Sequence, residues 1–187
     1  MVKAIIFDFF GVIRQDSFQG WMDNHGFTRE DEAGQVSRLL DIGNIKQTEF
    51  YERLAKLSNQ TVPELENEMR GYKKFDDGVI DFIKSLRNTY KIVLLSNSEG
   101  KYLRNVLSEN NLEALFDEIF ISGELRAAKP DREMFELVLQ NIQLGKDEVV
   151  FVDDQQKNTS AAEAIGIKSI LFTSVEQLKI EINKAND

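Results

Sequence analysis

Asp8 closes an apolar run, Ala4-Ile5-Ile6-Phe7, and is followed by Phe9-Phe10-Gly11-Val12. A second acidic group, Asp153-Asp154, closes another apolar run, Val149-Val150-Phe151-Val152. Short continuous apolar runs read as buried strands, and acids just past two strand ends can converge at the carboxyl edge of a parallel sheet, where open α/β sheets place their chemistry. Carboxylates gathered there repel one another and call for a cation; a hard, oxygen-ligated ion such as Mg²⁺ suits those donors. Two further segments lie at comparable places. Ser96-Asn97-Ser98 follows Lys91-Ile-Val-Leu-Leu, and a hydroxyl with backbone N–H groups at a strand-to-helix turn can hold phosphate oxygens. Lys129 precedes Pro130-Asp131 and the next helical pattern, where its ammonium could offset carboxylates and bind an anion as a point charge. Taken singly, each has an ordinary explanation: a capping carboxylate, a helix N-cap, a solvated lysine, acids favoured by a helix dipole.

The elements that must position these groups alternate. Lys3–Phe9 reads as a buried strand, and from Asp76 onward the periodicity gives helix 77–89, strand 91–95, a helix near 100–110 and a strand near 118–121. A helix opening at Asp131, strand 148–152, helix 157–165, strand 168–172 and a helix near 174–184 follow, with Asn158 in the first turn after the acidic pair. Strand–helix alternation predicts an α/β fold, a doubly wound parallel sheet with helices on both faces. Residues 14–75 differ: they are polar, helical in period and lack a strand pattern. Thr48 reads as an N-cap there, and Thr61-Val62-Pro63-Glu64 as a capping box ahead of a helix ending near Gly71. The expected organisation is an α/β core of residues 1–13 and 76–187 with a small helical domain, 14–75, inserted after the first strand.

The 187 residues can bury a sizeable core, and 42% hydrophobic with 29% charged content is that of a soluble globular chain. Net charge of −9 with no basic stripe argues against a nucleic-acid partner. The absence of cysteine removes thiol and disulfide chemistry. No apolar stretch approaches the length of a membrane span and the N-terminus has no signal-peptide pattern, so a cytoplasmic location without membrane contact is expected. A monomer or homodimer is expected.

In order along the chain, Phe-Asp-Phe-Phe-Gly-Val, Leu-Leu-Ser-Asn, Lys129-Pro130 and Phe151-Val-Asp-Asp-Gln-Gln-Lys-Asn158 resemble the four motifs of the haloacid dehalogenase-like hydrolase superfamily, over nearly the whole length. The resemblance implies a Rossmann-like core with a small helical cap. It also implies hydrolysis of a small phosphorylated metabolite through an aspartyl-phosphate on Asp8. Mg²⁺ would be held by Asp8, Asp154 and the backbone carbonyl of Phe10, with Asp153 acting through water or orienting the other ligands. Lys129 and Ser96 would serve catalysis, and Ser96, Asn97 and Lys129 would bind the phosphoryl group.

One position departs from that pattern. The family's phosphatases usually carry a second Asp two residues after the nucleophile, which protonates the leaving oxygen; here it is Phe10. The expectation is slow turnover of poor leaving groups, by roughly 10²–10⁴-fold, and a bias toward aryl or acyl phosphates. Asp16, Glu99 and His25 are the candidates for a substitute acid, although each also reads as a surface residue. Phe10 admits two alternatives: a 2-haloacid dehalogenase, needing an anion-binding arginine from among Arg14, Arg38, Arg53 and Arg70, or a catalytically weakened protein that binds phosphate or metal. Trp21, Phe27, Phe50 and Tyr51 are candidates to line the cleft, and Asp41-Ile42-Gly43-Asn44 reads as a helix-ending turn that could lie over it.

Overall fold

The computed structural model describes residues 1–185. Five strands, β1 (Ala4–Phe7), β2 (Lys91–Ser96), β3 (Glu118–Ile121), β4 (Val149–Asp153) and β5 (Lys168–Leu171), form one all-parallel sheet in the order β3-β2-β1-β4-β5. The first strand is therefore central, flanked by β2 on one side and β4 on the other. Register puts Phe7 beside both Leu94 and Val152, so the residues just beyond these three strands share one edge.

Every side chain of β1 is buried, because helices cover both faces and neither face can tolerate polar groups. Strand alternation sends Ile5, Phe7, Ile92, Leu94, Val150 and Val152 to one face, packed on α5 (Asp77–Leu86), α6 (Gly100–Glu109) and α10 (Val175–Lys184). Ala4, Ile6, Val93, Leu95, Val149 and Phe151 point the other way, onto α8 (Arg132–Ile142) and α9 (Gln156–Ala164). Each aliphatic side chain so removed from water contributes about 1.5–3 kcal/mol. A one-turn helix, α7 (Ser122–Leu125), follows β3. No helix of the described residues is long and apolar enough to cross a membrane.

Between β1 and α5 lie four helices, α1 (Ser17–His25), α2 (Glu32–Asp41), α3 (Gln47–Leu57) and α4 (Val62–Arg70), which gather their own apolar cluster around Trp21, Met22, Leu54 and Leu65. The two segments joining them to the sheet run side by side. Arg14 bridges Phe75, the Gln15 N–H donates to Lys74 O (2.8 Å) and the Asp76 N–H to Ile13 O (2.9 Å). The Glu64 carboxylate accepts the Thr61 N–H (2.8 Å), the return bond of a capping box, and the Thr61 hydroxyl donates to the same carboxylate (2.7 Å). Thr48 does not cap α3. Lys46 stands at the N-cap with extended backbone, and Thr48 falls inside the first turn. The strand expected to end at residue 95 continues through Ser96, and that ending at 152 continues through Asp153; both chemically interesting side chains are thus fixed by the sheet itself.

Candidate active site

At the carboxyl edge, Asp8, Asp153 and Asp154 each offer a carboxylate oxygen within 4.8 Å of the others. Asp8 is 4% exposed and Asp153 fully buried. Their counter-charge is Lys129, 1% exposed, whose ammonium lies 2.8 Å from Asp8 Oδ1 and 2.7 Å from Asp153 Oδ2. Three carboxylates share this one ammonium, so ionising all of them leaves an excess of negative charge that one divalent cation would balance.

The oxygens divide their work. Asp8 Oδ1 also accepts the Phe9 N–H at 2.7 Å, whereas Oδ2 has no hydrogen bond to any described residue. Asp153 is saturated: besides Lys129, it accepts from the Gln155 N–H (2.8 Å) and from Asn158 Nδ2 (2.9 and 3.0 Å to its two oxygens). It therefore orients Lys129 and the start of α9. Asn97 brackets the lysine from the other side, donating to Lys129 O (2.8 Å) and accepting the Lys129 N–H (2.9 Å). Its side-chain amide is engaged on backbone, so Asn97 positions Lys129 as well as lining the cleft.

Buried polar atoms normally find partners. Four side-chain atoms among the described residues do not, and three belong here: Ser96 Oγ, Asp154 Oδ1 and Asn158 Oδ1. The chain also clears space for Asp154. Gly11 has φ +87°, and a Cβ there would stand 2.2 Å from Asp154 Oδ2. Orphaned carboxylate oxygen, cleared space and all-oxygen donors fit a hard divalent cation. Gly11→Ala is expected to weaken Mg²⁺ binding roughly 10–100-fold by displacing that carboxylate, measured calorimetrically; unchanged affinity would show that Asp154 is not a ligand.

Charge in this pocket is expensive. Burial pushes Asp8 well above the usual carboxylate range; Lys129 opposes the shift, and Asp153 and Asp154 reinforce it. Asp154 is pushed up to about 7, first by burial, then by Asp153 and Asp16. Burial disfavours the Lys129 cation too, yet Asp153 and Asp8 together hold it above its ordinary value.

Asp8, Phe10, Asn97, Lys129 and Asn158 open on a cleft of about 620 Å³ between the sheet edge and the helical layer. Arg38 ties the two together, reaching Lys129 O (3.2 Å) and pairing with Asp131, whose carboxylate makes no N-cap bond to α8. The other expected arginines are elsewhere. Arg14 is buried against Phe10 and Phe75, Arg53 pairs with Glu49, and Arg70 is exposed at the end of α4. Among the candidate acids, Asp16 lines the cleft but caps α1 and pairs with Arg29; Glu99 caps α6; His25 bonds Glu68 away from the cleft. Phe50 and Tyr51 line the cleft, whereas Trp21 and Phe27 stack on each other within the helical layer. Asp41 lines it too, and its backbone oxygen accepts from Ser122 Oγ (2.5 Å). Phe18, Arg29, Tyr102 and Lys157 also line it without having been singled out by type or spacing.

A family model described as haloacid dehalogenase-like hydrolase matches residues 5–172. The D-ribitol-5-phosphate phosphatase of Bacteroides thetaiotaomicron is 27% identical over 196 residues, covering 90% of this chain and 91% of that protein. A drimenol cyclase of Aspergillus calidoustus is 26% identical over 147 residues, which span 75% of this chain but 28% of that enzyme. Among solved structures, a HAD-family enzyme of Bacteroides thetaiotaomicron in complex with magnesium and inorganic phosphate superposes with TM-score 0.72 at 21% identity, covering 92% of this chain and 95% of that one.

Proposed function

Since the chain belongs to the haloacid dehalogenase-like hydrolases, we propose that it is a Mg²⁺-dependent phosphatase of small phosphorylated metabolites, with Asp8 as nucleophile. One observation carries this reading: Asp8 has one oxygen fixed by Lys129 and a backbone N–H, the other unbonded, and two more carboxylates within 4.8 Å. Asp8 Oδ2 attacks phosphorus as the bond to the leaving oxygen breaks, and water then hydrolyses the aspartyl-phosphate, returning the carboxylate and releasing phosphate. Lys129 stabilises charge on the transferring group, and the free Ser96 hydroxyl donates to one of its oxygens. Asn97 and Asp153 hold Lys129 in place for both steps. Asp8, Asp154 and the Phe10 carbonyl would hold the cation, which when bound neutralises charge on carboxylates and phosphoryl oxygens. Relatives that act on phosphorylated carbohydrates, including one from Thermotoga maritima, support a metabolite-sized substrate, as does the cleft volume. The helical layer would act as the cap over it.

The dehalogenase reading is disfavoured by the clustering of three carboxylates, which opposes a carboxylate substrate, and by Arg38 being the one of its four arginines that lines the cleft, already paired with Asp131. A phosphate-release screen in Mg²⁺ and in EDTA tests the proposal. Mg²⁺-dependent release supports it; chloride release from 2-chloropropionate in EDTA reverses the choice, and neither activity leaves a binding protein.

The metal requirement has a pH signature. Folded Asp154 titrates at about 7 against an ordinary value of 3.8. Below about 4 both states hold the proton and no penalty exists; between these values the unfolded chain ionises first, so stability falls as pH rises, and the full penalty stands above 7. In EDTA, Asp154→Asn should therefore melt above wild type at pH 8, with the gap closing toward pH 4. Saturating Mg²⁺ should reverse the order. A pH-independent gap in EDTA would contradict the assignment.

A further inference from the structure

The position beside the nucleophile carries a ring instead of a proton-handling group, and that ring has company. Phe9 turns into the core, fully buried, while Phe10 is half-buried and lines the cleft next to Asp8. Its ring lies nearly parallel to that of Tyr102, with centroids 6.4 Å apart and planes 12° off parallel. Tyr102 comes from the first turn of α6 and Tyr51 from α3 in the helical layer, and both are half-buried on the same cleft. Three partly exposed aromatic residues from separate parts of the chain thus line the cleft that Asp8 also lines.

The rings are held from behind. Arg14, 5% exposed, stands 5.9 Å from the Phe10 ring centre and 5.6 Å from that of Phe75, and its Nη1 donates to the Tyr102 hydroxyl at 3.3 Å. It forms no ion pair with any described residue. A buried guanidinium kept without a carboxylate is costly, and here its contacts are the faces of Phe10 and Phe75 and the hydroxyl of Tyr102. The Glu99 carboxylate fixes the Tyr102 backbone from below, accepting its N–H at 2.7 Å.

We propose that Phe10, Tyr51 and Tyr102 form a leaving-group subsite for an aromatic ring, making the substrate class phosphate monoesters of phenols and comparably flat, acidic hydroxyl compounds. This rests on the phosphatase reading of Asp8. Two independent features meet in it. A site with no acid at position 10 favours alcohols that depart as stable anions, and phenols do so. A cleft lined by three partly exposed aromatic residues favours a flat apolar body, which edge-to-face and offset contacts hold. Acyl phosphates satisfy the first feature but not the second; long aliphatic phosphates satisfy neither fully.

The test separates acidity from shape. In Mg²⁺, kcat/KM is measured for phenyl phosphate and for a fluorinated alkyl phosphate whose alcohol is as acidic as phenol. The aryl ester should be favoured about tenfold, the scale of two aromatic contacts. Tyr102→Leu and, separately in the helical layer, Tyr51→Leu should each cut that ratio to about threefold or less, while Tyr102→Phe keeps it. A wild-type ratio near one, or a ratio indifferent to both leucine variants, overturns the subsite while the phosphatase reading stands. No phosphate from either ester overturns both.

Discussion

Lys129→Met should remove about 3–5 kcal/mol of stability in metal-free protein, the range for deleting one partner of a buried ion pair. For a chain of this size that is a drop in melting temperature of roughly 6–20 °C. The cause is specific: Asp8 and Asp153 are both buried, and this ammonium is the ion-pair partner of each. Without it they must ionise unpaired or take up protons. The deficit should therefore shrink as pH falls and the carboxylates are protonated, and shrink again when Mg²⁺ supplies positive charge. Scanning calorimetry at two pH values, with and without Mg²⁺, reads all of this. A variant melting within a degree or two of wild type in EDTA at pH 8 would mean that the two aspartates do not depend on Lys129.

Asp8→Asn should abolish turnover, by roughly 10⁴-fold or more in kcat, as loss of a nucleophile does. Its stability should move the opposite way. Burial raises Asp8, so ionised Asp8 is a burden on the folded state at neutral pH, and the neutral amide relieves it while Lys129 keeps Asp153. An inactive protein that melts at or above the wild-type temperature in EDTA separates lost chemistry from lost structure. Intact-mass measurement after an acyl phosphate such as acetyl phosphate is added should show a phosphoryl adduct on wild type only. Residual turnover within tenfold of wild type would place the nucleophile elsewhere.

Most of what positions these groups is readable from residue order. Continuous apolar runs before Asp8, Ser96 and Asp153 announce strands buried on both faces, and the helical periods between them leave a parallel sheet as the consistent outcome. The chemistry at the strand ends is legible for the same reason, since a side chain at or one residue past the end of a strand has little freedom of direction. The cleft is less legible. Arg29 and Phe18 reach it because the helical layer folds over the sheet, where they meet Tyr102 of α6, and no local spacing encodes that approach. Asn97 presents as a phosphate ligand by sequence, while its amide grips a backbone 32 residues away. Thr48 has the hydroxyl that favours N-caps in general, whereas here the chain turns helical two residues earlier.

The inserted helices leave and rejoin the core along two antiparallel neighbours, with Arg14 facing Phe75. Entry and exit thus lie at one spot, while Arg38 and Asp41 make further contacts with Lys129, Asp131 and Ser122 of the core. Asp8, Ser96, Lys129, Asp153 and Asp154 all lie outside it. Replacing it would leave the strand-borne groups on the sheet but remove Arg38 from the Lys129 carbonyl and from Asp131. An exchange of these helices would thus have to re-supply that one handhold before ligand preference could change without loss of turnover.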